Sequence, residues 1–192
     1  MKKYFTLIFS LLLVKNAFSQ NQDSIKYMLE SAVKMFTWDI EKAERGSLMF
    51  LDVAYQRDNQ DSLEYLTLAV AKDKSQKRPA FISISLPNNI LRSNGIFIQF
   101  AKTLKTAGGQ GWKIALEKAN PVRIHFEKCD DETCTARIVD GFAADEVTKE
   151  KIDIFQKCMD FDHIYFLFVF PDGSHKSVGV PLFSFKQQYN KL

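Results

Sequence analysis

The stretch that decides the fold reads HIYFLFVF over residues 163–170, PDG over 171–173 and SHKSVGVPL over 174–182. Both arms are rich in β-branched and aromatic residues, and the Asp172-Gly173 step between them tolerates the positive φ that a tight hairpin turn requires. The pattern predicts paired strands from His163 to Phe170 and from Ser174 to Leu182. Apolar side chains occupy both faces of the first arm, which marks it as a central strand.

Upstream of that hairpin the same kind of run recurs: Leu48 to Gln56, Leu63 to Ala71, Ala80 to Leu86, Ile96 to Phe100, Trp112 to Glu117, Val122 to Glu127 and Thr133 to Val139. These are short, β-branched and aromatic, and they read as strands. Turn-forming residues separate them, among them Asp58-Asn59, Pro87-Asn88-Asn89, Asn94-Gly95 and Gly108-Gly109-Gln110-Gly111. So many short strands on one core predict a mainly β chain folded as a β-sandwich.

Two stretches break the strand pattern. From Asp23 to Thr37, the residues Ile25, Met28, Leu29, Ala32, Val33 and Phe36 recur at helical spacing and predict an amphipathic N-terminal helix whose apolar side needs a surface to pack on. Between Ala143 and Cys158, Ala144, Val147, Ile154 and Cys158 share one side while Asp145, Glu146, Lys149 and Glu150 face water, which predicts one inserted helix. No internal repeat, Pro-rich linker or low-complexity tract interrupts the chain.

The first residues read as an export signal. Lys2 and Lys3 form a positive start, Thr6 to Val14 a short apolar run, and Ala17-Phe18-Ser19 a cleavage site with small residues at the two positions a signal peptidase reads. Cleavage is expected before Gln20, leaving residues 20–192 as a single β-sandwich domain. The apolar run ends at Lys15 and Asn16, well short of the roughly 20 residues that cross a bilayer. No membrane span is therefore expected after cleavage, and no cysteine near Gln20 could carry a lipid anchor. The expected location is exported: periplasm, outer envelope or secreted.

Composition and charge narrow the function classes. With 192 residues, 46% hydrophobic, 26% charged, 8 Gly and 5 Pro, the chain is neither disordered, collagen-like nor a multi-span membrane protein. The formal net charge is +3, and loss of Lys2, Lys3 and Lys15 with the signal brings 26 basic residues to 23 against 23 acidic ones. A neutral mature chain gives no reason to expect nucleic acid as a partner. The remaining cluster of Lys72, Lys74, Lys77 and Arg78 reads as a solvated hairpin tip.

Three cysteines in an exported chain raise a disulfide first. Cys129 and Cys134 flank the loop Asp130-Asp131-Glu132-Thr133, so pairing of Val122–Cys129 with Cys134–Val139 would set them opposite each other at a hairpin mouth. A redox centre favours two intervening residues at a helix start, and the acidic loop would raise a thiol pKa. A metal site combining His125 with both cysteines lacks an evident fourth ligand.

Around this hairpin the chain resembles the invasion-associated locus B proteins of bacterial envelopes. The resembling residues are Ser85-Leu86-Pro87 with Leu91 and Gly95, Phe126-Glu127-Lys128-Cys129, Cys134 with Ala136, the helix from Ala143, and Val180-Pro181 through Phe185 to Leu192, with Trp38 matching a tryptophan near the family's start. The chain departs from the family pattern in having no cysteine pair between Trp38 and Cys129, and in a shorter stretch between Pro181 and Phe185. The resemblance implies an immunoglobulin-like β-sandwich, an envelope location and a link to host-cell invasion; it implies no catalytic residues.

The residues themselves point to no catalytic, cofactor-binding or metal-binding set. Cys158 falls on the apolar side of its expected helix and reads as a buried free thiol. His125, His163 and His175 are scattered over different strands, with no Gly-x-Ser-x-Gly motif and no paired histidines on a helix face. Asp130, Asp131 and Glu132 alternate in direction and do not make a calcium cage by themselves. The seventeen phenylalanines, Phe161, Phe166, Phe168, Phe170, Phe183 and Phe185 among them, read as core. The expectation is a non-catalytic, cofactor-free module that contacts a protein partner; a periplasmic enzyme or small-ligand carrier is the alternative, and a deep pocket with convergent polar groups would favour it.

Overall fold

The computed structural model describes residues 38–57, 61–106, 109, 111–146 and 148–192. The expected signal segment, its cleavage site and the helix over 23–37 lie outside these residues. The strands are β1 (Asp39–Lys42), β2 (Gly46–Gln56), β3 (Leu63–Asp73), β4 (Phe81–Pro87), β5 (Ile96–Lys105), β6 (Trp112–Leu116), β7 (Val122–Ile124), β8 (Phe126–Cys129), β9 (Thr133–Val139), β10 (Phe142–Ala144), β11 (Lys151–Asp153), β12 (His163–Val169) and β13 (His175–Pro181). Two short helices, α1 (Ile154–Asp160) and α2 (Phe185–Tyr189), follow β11 and β13.

The chain is mainly β, in antiparallel sheets. One sheet has the order β1-β2-β3-β4-β9-β8, and a second runs β13-β12-β5-β6 with β7 also paired to β5. Alternation along each strand sends one set of side chains inward. Ile82, Ile84 and Leu86 of β4 join Ile96, Ile98 and Phe100 of β5 and Ile164, Phe166 and Phe168 of β12 in one continuous core drawn from both sheets. The phenylalanine-rich composition is spent there: Phe100, Phe166, Phe168, Phe170 and Phe185 are fully buried, each worth roughly 1.5–3 kcal/mol of burial. Edge-on pairs, Tyr55 with Phe168 at 5.4 Å and Trp38 with Phe185 at 5.4 Å, lock the two sheets and α2 to each other.

The hairpin that opened the sequence reading forms as expected, with His163 opposite Pro181 and Val169 opposite His175. β12 lies between β13 and β5, the interior position that its two apolar faces indicate. The Val122–Glu127 strand is broken at His125: β7 pairs with β5 in the second sheet and β8 with β9 in the first, with a register irregularity between Phe126 and Lys128.

The helix expected from Ala143 to Cys158 is corrected. Its first half is the β10–β11 hairpin, in which Phe142 pairs with Asp153 and Ala144 with Lys151. The tip is closed by Asp145 N–H donating to the Glu150 carbonyl at 2.9 Å and by Thr148 N–H donating to Asp145 Oδ1 at 2.7 Å. Asp and Thr side chains that bond nearby backbone compete with helix formation, and Lys149 at φ 61° completes the turn. A helix begins only at Ile154, where Asp153 Oδ1 accepts from Gln156 N–H at 2.8 Å. It buries Ile154, Phe155 and Cys158.

Cys129 and Cys134 face each other across the β8–β9 ladder, their sulfurs at disulfide distance, 2.03 Å, and their Cα atoms 4.0 Å apart. Asp130 N–H donates to the Thr133 carbonyl at 2.9 Å and closes the loop between them. The link ties edge strand β8 to β9. Replacing both cysteines with serine is expected to cost about 2 kcal/mol, the entropy of so short a closed loop, read as a lowered denaturation midpoint. Alkylation of unfolded, unreduced protein should then label one thiol, Cys158, in the parent chain.

Candidate interaction face

Because side chains alternate, each sheet also has an outward set. In the second sheet the register places Leu116 beside Ala101 and Ile114 beside Thr103, then Ala101 beside His163, Gln99 beside Tyr165 and Phe97 beside Leu167. Trp112, Ile114 and Leu116 on β6 are about half exposed, at 49, 53 and 55%, and Leu167 and Phe183 are also exposed. These five large apolar side chains lie on one surface. Its charged members are Lys105, opposite Trp112, and Arg123, opposite Phe97. Among the described residues, no carboxylate occupies a strand position of this outward set.

The centre of the face is aromatic. The His163 ring stacks toward Tyr165 at 6.3 Å and meets Phe183 edge-on at 5.0 Å. Gly179, opposite Tyr165, leaves room for that ring, since a Cβ at 179 would come within 2.8 Å of it. Burial lowers the His163 pKa below its ordinary value, against an opposing pull from Asp162. The ring adds to this aromatic centre, and its buried Nδ1 has no hydrogen-bond partner among the described residues. Among the described residues β6 is the last strand on its side of the sheet, and no described strand pairs with its other backbone edge.

A polar cleft of about 260 Å³ lies elsewhere, lined by Phe100, Glu117, Asn120, Val122, Asp145 and Lys157 among others. Its central cation is neutralised within the fold: Lys157 pairs with Glu117 and sits over Phe100 and Phe161 at 5.7 and 5.6 Å. Beside it, Arg123 and His125 both pair with Glu146. Partial desolvation pushes the Glu146 carboxyl up, but hydrogen bonds from His125 and Arg123 outweigh it and hold the pKa below the usual value. Arg123 also donates to the Asn94 and Ser93 carbonyls, both at 2.7 Å. The cluster pins the β10–β11 tip to the turn before β5.

The other residues singled out in the sequence fall into structural positions. His163 and His175 share the outward face but sit six places apart along the β12–β13 ladder, about 20 Å by strand geometry, while His125 lies between β7 and β8. The three are not brought together. Asp130 Oδ1 accepts from Thr133 N–H at 2.8 Å and Glu132 N–H at 3.0 Å, so this acid organises its own hairpin loop. Among the described residues, no three His, Cys, Asp or Glu side chains group as metal ligands. Lys72 lies over the Tyr189 ring at 4.8 Å, Lys74 donates to the Glu44 carbonyl at 2.8 Å and Arg78 reaches Asp153 at 2.6 Å. The basic cluster at the β3–β4 turn thus braces neighbouring elements. Cys158 is buried, and burial pushes its thiol well above the ordinary range.

Sequence reading missed the outward face. Trp112, Ile114 and Leu116 alternate onto one side of a strand in the sequence, but a core-facing set alternates in the same way, and only the pairing of β6 to β5 shows that this side faces out. Compared with known proteins, the chain matches no protein-family model and no curated protein.

Proposed function

We propose that this chain is an exported, non-catalytic interaction module that presents the outer face and open edge of its second sheet to a protein partner. The observation that carries the reading is the apolar face itself: Trp112, Ile114, Leu116, Leu167 and Phe183 exposed together, with an aromatic centre and no carboxylate among its strand positions. Contiguous exposed apolar surface on an exported chain is the usual mark of a protein contact. The open edge of β6 adds a means of strand addition. Two antiparallel sheets sharing one core support an immunoglobulin-like sandwich, in line with the resemblance to invasion-associated locus B proteins. The polar cleft supports catalysis less well, because its lysine is already paired with Glu117.

The test is capture from intact cells by the mature chain, residues 20–192, compared with an Ile114→Lys/Leu116→Lys variant. Both positions are more than half exposed, so the folded state should change by only about 0.5 kcal/mol per site. The expected result is an unchanged melting curve and loss of the captured protein, with wild-type capture weakening only modestly between low and physiological salt. Equal capture by the variant, or a steep salt dependence, would sink the reading.

A further inference from the structure

We propose that the strand added at the free edge of β6 is β6 of a second copy of this chain, so that the two outward faces join into one surface of double width. This rests on the interaction face proposed above and names what takes its edge. Backbone geometry is the first observation. Thr106 N–H donates to the Gly111 carbonyl at 2.9 Å, and Glu117 N–H donates to the Phe100 carbonyl at 2.8 Å. Counted by twos along the register from these bonds, Lys113 and Ala115 turn their N–H and C=O groups toward Leu104 and Lys102 of β5. Trp112, Ile114 and Leu116 turn theirs the other way, to the edge that no described strand occupies. The same three residues carry the half-exposed apolar side chains.

Symmetry is the second observation. The strand reads Trp112-Lys113-Ile114-Ala115-Leu116. Laid antiparallel on itself about a two-fold axis at Ile114, it sets Ile114 against Ile114 of the second copy, Trp112 against Leu116 and Leu116 against Trp112. These are the positions whose backbone groups point outward, so each pair exchanges both of its N–H···O bonds and every outward group of the strand is satisfied. Their side chains meet as aromatic and branched cross-strand pairs on the outward face. Lys113, the only charge in the strand, falls opposite Ala115. An axis at Lys113 would set that lysine against itself, and an axis at Ala115 would carry Trp112 past the strand's end to Lys118. The axis stands perpendicular to the sheet, which leaves both outward faces on the same side.

Other sheet edges carry the features that discourage pairing. β1 reads Asp39-Ile40-Glu41-Lys42, β8 has the register irregularity between Phe126 and Lys128, and β13 ends at Pro181. Charges, bulges and proline are the usual means of blunting an edge, and β6 has only Lys113. A contact of five residues a side is small, so association is expected at micromolar rather than nanomolar concentration.

Sedimentation of the mature chain, residues 20–192, at micromolar concentration should give the mass of two copies. Ala115→Lys sets two lysine pairs across the axis and should weaken association about tenfold. Adding Lys113→Glu turns both into opposite-charge pairs and should restore it, with melting curves reporting the fold separately. Cysteine trapping reads the register and decides the matter where a charge variant melts early: Ile114→Cys should link two copies under mild oxidation, Trp112→Cys alone should not, and Trp112→Cys mixed with Leu116→Cys should. A single-copy mass, association indifferent to Ala115→Lys, no restoration by Lys113→Glu, or a link at 112 without one at 114 would each overturn the proposal. If the chain sediments as one copy while capture still depends on Ile114 and Leu116, the interaction face stands unpaired. If two copies form and link at 114 while capture ignores those residues, the pair stands and the reading of a further protein partner falls.

Discussion

Replacing Phe166 with alanine is expected to cost about 3–5 kcal/mol, a large share of the roughly 5–15 kcal/mol that holds an ordinary domain together. Phe166 is fully buried on β12, with Val178 beside it on β13 and Ile98 on β5. Truncation there loses the transfer energy of the ring and leaves a cavity under three strands of the second sheet, none of which can move without breaking its ladder. Phe166→Leu should recover most of the loss. Leu167→Ala, one residue along and facing outward, should change stability by about 0.5 kcal/mol. Urea unfolding of the three variants gives the comparison, and equal losses at 166 and 167 would show the assigned facing of β12 to be wrong.

Gly95→Ala should be nearly as damaging, at about 3 kcal/mol or more. Gly95 ends the short turn Arg92–Asn94 at φ 67° and ψ −157°, a region that side-chain-bearing residues avoid. A Cβ there would stand 2.4 Å from the Ile124 carbonyl oxygen, which is backbone of the paired strand β7 and has nowhere to go. Two costs therefore add: backbone strain at 95 and a forced separation of β5 from β7 at Ile96 and Ile124. The turn also presents the Ser93 and Asn94 carbonyls to Arg123, so the variant should loosen the β10–β11 tip as well. Faster amide exchange at β7 and β10, together with the lowered midpoint, is the expected signature. Gly109→Ala is the comparison: its φ of 74° is also positive, but among the described residues a Cβ there meets nothing within 4 Å. It should cost clearly less than Gly95→Ala.

What the amino-acid sequence determined by itself is the local part of this structure. The β12–β13 hairpin, the interior place of β12, strand β9 from Thr133 to Val139 and the facing of Cys129 and Cys134 follow from alternation, turn residues and a four-residue loop, all of which act over a few neighbours. The helical spacing of Ala144, Val147, Ile154 and Cys158 suggests one helix only if Asp145 and Thr148, which bond the backbone in a turn, and the cap at Asp153 are left out of account. Tertiary contacts decided the rest. β1 forms because Trp38 has Phe185 to pack on, far along the chain; α2 forms because Phe185 and Tyr189 close the end of the core; and the Val122–Glu127 run divides because its halves find partners in different sheets. The outward face is of the same kind. Nothing local distinguishes Trp112, Ile114 and Leu116 from core residues, because burial is a property of what lies across a strand, and only pairing to β5 sets which side of β6 is left facing out.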